Sequence, residues 1–200
     1  MDAVERGVRE DAKARMRRQA RTVRSSMPAS ILALRSERIR ERLSAAPALV
    51  NAQKIALFWP ILHNNEVDLR PLVALWQQLG KRLAFPRIAV SGGALVFAWV
   101  ENSTDLQERG HGFCEPPEDA PVASSLDVVL VPALLVDGRG HRLGYGAGYY
   151  DRTLPSHCPP ASAVAVAFDF QLASELPLLE HDVPVDLIVT DTRTLVPTTA

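Results

Sequence analysis

Residues 126–152 read LDVVLVPALLVDGRGHRLGYGAGYYDR, the most apolar strand-like run of the chain followed at once by its barest backbone. Residues 126–136 read as one core strand. Residues 142–152 then place three glycines, three tyrosines, two arginines and one aspartate in eleven positions, ahead of a helix expected from near Ala147 to Leu154. In open α/β sheets ligands gather beyond the carboxyl ends of the strands, where this loop falls. Glycine permits positive φ and close approach of an anion to the backbone amides, and a following helix adds partial positive charge. Gly140, Gly144, Gly146 and Gly148 therefore point to phosphate.

Other segments read outward from that strand give the same class of fold. KIALFWP (54–60), RLAFPRI (82–88) and ALVFAWV (94–100) are short apolar runs with polar or proline borders, the last two joined by Ser91-Gly92-Gly93, a hairpin turn. ASAVAVAFD (161–169) and VDLIVTD (185–191) are near-continuous apolar runs of the kind buried on both faces of a parallel sheet. A helix is expected over Val67–Gly80, and residues 101–125 read mostly as connection. Strands alternating with helical segments make an α/β layered fold. At the amino-terminal end, Val4, Val8, Ala12, Met16, Ala20, Val23 and Met27 recur every three or four residues, an amphipathic helix with a basic stripe of Lys13, Arg17, Arg21 and Arg24 beside the apolar one. A second helix, begun by Pro28 or Ser30, runs to about Ala45 and is ended by Pro47. The chain is expected to be one domain over 1–200, with residues 1–46 a helical arm packed on an α/β body.

Composition removes several classes of function. The hydrophobic content of 47% in 200 residues is ample for a core. Net charge is −1, but residues 1–42 hold twelve Lys/Arg against six Asp/Glu while the remainder holds ten against seventeen, a basic arm on a mildly acidic body. Cys114 and Cys158 form neither a disulfide framework nor a CxxC metal spacing, which fits a reducing cytoplasm. MDAVERGVREDAKARMRRQ lacks a signal-peptide core, and no apolar run approaches the roughly 20 residues of a membrane span. There is no GxSxG elbow, Cys/His pair at recognisable spacing or zinc signature. The five histidines are scattered and none is assigned a catalytic role.

The loop is neither a Walker A, which needs GKS or GKT, nor GxGxxG, because Gly144, Gly146 and Gly148 give GxGxG. Taken alone it fits a turn-rich loop as well as an anion cradle. Arg142 and Arg152 flank it as phosphate partners, however, and Asp151 in the first turn of the expected helix can hold magnesium or simply complement that turn's dipole. The set together favours a nucleotide.

VPALLVDGRGHRLGYGAGYYDRTL closely resembles the signature of the 5-formyltetrahydrofolate cyclo-ligases, or methenyltetrahydrofolate synthetases, with Pro132, Asp137, Gly140, Arg142, Leu143, Gly144, Gly146, Gly148, Tyr149, Tyr150, Asp151 and Arg152 in register. The resemblance extends to Lys13 and Arg17 of a basic first helix, to Glu66-Val67-Asp68, and to AFDFQL and LPLLEHDVPVDLIVTD, whose final Asp191 stands where the family usually has Glu. It implies a three-layer, mostly parallel α/β sheet of the NagB/RpiA/CoA transferase-like kind. It also implies ATP- and Mg2+-dependent conversion of 5-formyltetrahydrofolate, with or without a polyglutamate tail, to 5,10-methenyltetrahydrofolate. The formyl oxygen would attack the γ-phosphoryl group, N10 would close on the activated carbon, and phosphate would leave, so that the protein mainly positions reactants and neutralises charge.

By the same resemblance Lys13, Arg17, Arg142, Leu143, Gly144, Tyr145, Gly146, Ala147, Gly148, Tyr149 and Tyr150 cradle ATP. Ile61, Glu66, Tyr149 and Tyr150 contact the folate, with Glu66 accepting hydrogen bonds from the pterin. Arg142, Tyr150 and Asp151 carry the chemistry, and Asp151 with Asp186 holds the metal. Each has a plainer reading: the basic stripe as a solvated helix face, Glu66 as a helix amino-terminal acid, the tyrosine pair and Trp59 as core, Asp186 as the start of a strand. Rival functions are another phosphate-ester reaction on the same fold, or a diverged homologue that binds without turnover. An RNA-binding arm is disfavoured because residues 1–42 interleave no aromatics and the body is acidic. A monomer acting in the cytoplasm, with no nucleic-acid or membrane partner, is expected.

Overall fold

The computed structural model describes residues 2–89, 92–110 and 112–198. Ser91 of the expected hairpin turn and His111 lie outside the described residues. Its helices are α1 (Ala3–Ser25), α2 (Ala29–Ala45), α3 (Pro47–Asn51), α4 (Arg70–Gln78) and α5 (Tyr149–Thr153). The strands are β1 (Lys54–Ala56), β2 (Arg82–Ile88), β3 (Leu95–Trp99), β4 (Gln107–Glu108), β5 (Cys114–Glu115) and β6 (Val128–Pro132). They continue with β7 (Leu135–Asp137), β8 (Arg142–Leu143), β9 (Ser162–Val166), β10 (Leu172–Ala173), β11 (Leu187–Val189) and β12 (Thr194–Leu195).

Seven strands form the central sheet in the order β12-β11-β9-β6-β1-β2-β3. The inner pairs are parallel, while β3 and β12 close the two edges antiparallel. Side chains alternate across it as strand geometry requires. Ile55, Leu83, Val128, Leu130, Val164 and Val166 face α2, α3 and α4, where Ile39, Leu43, Leu49, Leu72 and Trp76 are fully or almost fully buried. Ala56, Ala84, Val129, Val131, Ala163 and Ala165 face the opposite layer, which includes Leu154, Ala161 and Val185. Each fully buried Leu, Ile or Val contributes about 1.5–3 kcal/mol, so this two-sided burial dominates the stability. The expected mostly parallel α/β layering is what the chain forms.

Several boundaries differ, each for a local reason. The 126–136 run is two strands in different sheets: β6 ends at Pro132, and the Gln171 side-chain amide donates to the Ala133 and Leu134 carbonyls at 2.9 and 2.8 Å before β7 begins. The helix expected from Ala147 to Leu154 is the short α5, because Gly148 at φ +67° is left-handed and cannot be helical. The helix expected over 67–80 starts at Arg70, with Pro71 in its first turn, while Val67 and Leu69 are buried ahead of it. Pro47 opens α3 rather than only ending α2.

The largest departure is in α1. Its expected apolar stripe is largely in solvent, with Val4 78% and Val8 61% exposed, while Lys13, Ala20 and Arg24 are buried. The helix docks through polar bonds instead: Arg9 to the Leu178 carbonyl at 2.9 Å, Arg17 to the Gly144 carbonyl at 3.0 Å and Arg21 to the Tyr145 carbonyl at 3.1 Å. Met16, Ala20 and Val23 meet apolar partners across a small slot from Leu134, Leu135 and Phe170, and Met27, beyond the helix, packs on the core.

Candidate active site

A cavity of about 530 Å³ opens at the carboxyl ends of β1, β2 and β6, where Phe58, Trp59, Ile88 and Pro132 form part of its wall. Four stretches distant in sequence supply its charged groups. From α1 come Lys13 and Arg17; from the loop after β1, Ile61 and Glu66; from the glycine loop, all of residues 142–151; and from the segment before β11, His181 and Asp182. Every ATP and folate position expected from the sequence lines this one space.

The glycine loop is held open by its own conformation and by α1. Gly146 has φ +112° and Gly148 +67°, values an L side chain rarely adopts. Arg17 and Arg21 pin the Gly144 and Tyr145 carbonyls. Arg142, 8% exposed, donates through Nη2 to Asp151 Oδ1 at 2.9 Å and through Nη1 to the Val183 carbonyl at 2.5 Å. Burial pulls the Arg142 guanidinium below its ordinary pKa, and Asp151, Tyr150 and Asp182 pull it back. Asp151 Oδ1 also accepts the Val183 N–H at 3.2 Å. Lys13 Nζ pairs with Asp182 Oδ2, which accepts the Leu179 N–H at 2.7 Å as well.

At the other end, Glu66 is 8% exposed and has both oxygens engaged: Oε2 accepts the Ile61 N–H at 2.8 Å and Oε1 the Tyr145 hydroxyl at 2.6 Å. Burial pushes its carboxyl above the usual carboxylate range, against the Ile61 amide, the Tyr145 hydroxyl, Arg24 and His63. The Tyr145 and Tyr150 hydroxyls are likewise pushed upward by burial and stay protonated. Trp59 packs edge-on against Phe85 with ring centroids 6.0 Å apart, so it braces the wall and borders the cavity at once.

Three sequence expectations need correction. Asp186 does not join Asp151: it lies outside the cavity, immediately ahead of β11 at the amino-terminal edge of the sheet, where its carboxylate accepts the Ala163 N–H at 2.7 Å. Arg152 also lies outside the cavity, since its guanidinium donates to the Gly93 and Ala147 carbonyls and covers the Tyr149 ring. Gly140 belongs to the turn under Asp137 rather than to an anion cradle; a Cβ there would sit 2.6 Å from the Val185 carbonyl oxygen.

The residue the sequence reading missed is Asp182. A signal was available: an aspartate directly preceding a parallel strand sits at the wrong edge for a ligand, whereas one four residues earlier has loop enough to reach the other. The donor set at Asp151 and Asp182 suits a hard cation, because Asp151 Oδ2 and Asp182 Oδ1 accept no hydrogen bond from the described residues. Among those residues no cluster of three or more His, Cys, Asp or Glu side chains is placed for a metal, so phosphate oxygens and water would complete the shell. Asp191, where the resemblance leads one to expect Glu, lies outside the cavity: it accepts from Arg35 at 2.7 Å and from the Asp169 N–H at 2.7 Å just beyond β11.

Comparison with known proteins shows the family. The chain is similar to the 5-formyltetrahydrofolate cyclo-ligase of Escherichia coli K12, 32% identical over 157 residues that cover 76% of this chain and 85% of that protein. The Mycolicibacterium smegmatis enzyme of the same name is 32% identical over 179 residues, covering 86% and 90%. Among solved structures, the 5,10-methenyltetrahydrofolate synthetase of Aquifex aeolicus superposes with a TM-score of 0.81 at 29% identity, over 94% of each chain. The 5-formyltetrahydrofolate cyclo-ligase family matches residues 9–191, and the chain belongs to that enzyme family.

Proposed function

We propose that this chain converts 5-formyltetrahydrofolate to 5,10-methenyltetrahydrofolate at the cavity described, consuming ATP with Mg2+ and releasing ADP and phosphate. The observation that carries the reading is the convergence of Lys13, Arg17, Glu66 and the whole 142–151 loop on one space. Lys13, Arg17 and Arg142 bring three cations to a backbone loop whose left-handed glycines let a triphosphate approach the amides. Glu66 is the acceptor for the pterin N–H groups, and Trp59, Ile61, Tyr149 and Tyr150 wall the ring.

Asp151 and Asp182 would hold the metal through their unengaged oxygens. Mg2+ bound there supplies neutralisation of charge on the phosphoryl oxygens. Arg142 orients Asp151, and Lys13, now paired with Asp182, exchanges that partner for a phosphate oxygen when nucleotide enters. The chain needs no covalent nucleophile. Cys114 borders the cavity, but burial and Glu108 push its thiol pKa up, so it stays protonated and unreactive. The reaction is therefore one of positioning, charge neutralisation and exclusion of water from the activated formyl group. Both cysteines are free, which fits the reducing cytoplasm as the place of action, and among the described residues no helix is long and apolar enough to cross a membrane.

The test is the near-ultraviolet absorbance of methenyltetrahydrofolate after mixing purified protein with 5-formyltetrahydrofolate, ATP and Mg2+, omitting each in turn. A rise that requires all three is expected. A rise without ATP, or none with all three present, overturns the assignment.

A further inference from the structure

Arg24 ends α1 in a place its sequence does not explain. It is 4% exposed, and its Nε is buried without a hydrogen-bond partner among the described residues. Its Nη2 donates to the Tyr145 hydroxyl, which donates in turn to Glu66 Oε1 at 2.6 Å. Its main-chain carbonyl accepts Asn65 Nδ2 at 3.0 Å, and Asn65, beside Glu66, is the one described non-glycine residue with positive φ, at 56°. Arg24 thus grips both the glycine loop and the loop that carries Glu66. A helix anchor would need only an apolar side chain and that carbonyl; a buried cation with an open donor is a costly substitute unless its charge has a use.

The charge has one at Glu66. The groups that face this carboxylate are Arg24 from α1, Tyr145 from the glycine loop, Tyr150 from α5, and His63 and the Ile61 amide from its own loop. Tyr145 and Tyr150 remain neutral phenols, and His63 is exposed to solvent, so Arg24 is the buried permanent cation of the set. We infer that Arg24 is a positioning residue: through the Tyr145 hydroxyl it holds Glu66 as an oriented carboxylate, the form that accepts the pterin N–H groups. The inference rests on the reading of Glu66 as the pterin acceptor. It also makes α1 common to both ligands, since Arg17 and Arg21 hold the glycine loop on either side of the same tyrosine.

The experiment measures 5-formyltetrahydrofolate affinity of the full chain by calorimetry, without ATP, across the pH range in which carboxylates and histidines titrate. Wild-type binding weakens as pH falls through the Glu66 pKa. Arg24→Gln is expected to move that acid limb upward by about one pH unit and to weaken binding below it about tenfold. Arg24→Lys returns the limb toward wild type, and Tyr145→Phe, which keeps the ring but breaks the relay, moves it in the same direction as Arg24→Gln. A limb that coincides with wild type in Arg24→Gln, or in Tyr145→Phe should the arginine variant fail to fold, makes Arg24 a mere anchor and overturns the inference. Glu66→Gln separates the two levels: if it binds folate as wild type does, the acceptor reading itself has failed; if it loses binding while Arg24→Gln leaves the limb unmoved, only the role of Arg24 has.

Discussion

Asp182→Asn separates the geometry of the cavity from the sequence reading that placed the second metal carboxylate at Asp186. The substitution keeps shape and an acceptor for the Leu179 N–H but removes the charge that faces Lys13. The two side chains are 6% and 10% exposed, so the lysine would be left buried and uncompensated. Breaking such a pair costs about 3–5 kcal/mol, and at this chain length each kcal/mol lowers the melting temperature by about 2–4 °C, which gives a loss of roughly 6–20 °C without ligand. Loss of an outer-shell partner alone lowers metal affinity about 10–100-fold, so loss of a ligating oxygen should raise the Mg2+ concentration for half-maximal rate by about 100-fold or more. Asp186→Asn, which disturbs only the bond to the Ala163 N–H, should cost about 1 kcal/mol and leave the Mg2+ requirement as it is. Methenyltetrahydrofolate formation over a Mg2+ series, with thermal melts of the same samples, reads both effects. An unchanged Mg2+ requirement in Asp182→Asn, or a raised one in Asp186→Asn, would refute the placement.

Other consequences follow from single residues. Gly140→Ala should lower unfolding free energy by about 2–4 kcal/mol, since φ is +85° and the new Cβ would meet a backbone oxygen at 2.6 Å; an unshifted denaturation midpoint would show that the 185 segment yields. Lys13→Ala should mainly raise the ATP concentration required, and an ATP dependence equal to wild type would leave Lys13 only its structural pairing with Asp182. Glu66→Gln should trade binding for stability. Because the folded carboxyl titrates above its unfolded value, its contribution to stability is present below the unfolded pKa and is lost as pH rises through the folded one. The variant's melting temperature should therefore gain on wild type as pH rises through that pKa, and a pH-independent difference between the two would contradict the burial argument.

The sheet was legible because apolar runs buried on both faces leave an unambiguous trace, and the glycine loop because its residue types have few other uses together. Helix α1 was half legible. Its three-to-four spacing placed the helix correctly, but periodicity shows which residues share a face and not which face is covered; here the covered face carries Lys13 and Arg24 because their partners are a carboxylate and a tyrosine hydroxyl. The break after Pro132 was illegible for a related reason. Ala133 and Leu134 are as apolar as their neighbours, and what removes them from the strand is an amide from Gln171, some forty residues away. Local composition carries no information about such a partner.

The cations of the cavity are all partnered before any ligand arrives: Lys13 with Asp182, Arg17 with the Gly144 carbonyl, Arg142 with Asp151 and the Val183 carbonyl. A triphosphate entering this site exchanges partners rather than meeting bare charge, so part of its Coulombic gain is cancelled by the bonds it displaces. The same arrangement fixes the cations in place at no cost when the phosphate arrives, and it frees Asp182 at the moment Lys13 leaves it. Metal and nucleotide should therefore bind with positive coupling, each removing the partner that competes for the other's ligand. Calorimetric titration of a non-hydrolysable ATP analogue with and without Mg2+ measures that coupling. Asp182→Asn should reduce it by removing one of the two exchanged partners; an Mg2+ effect on analogue affinity as large in Asp182→Asn as in wild type would show that the ion arrives on the nucleotide alone and owes nothing to this carboxylate.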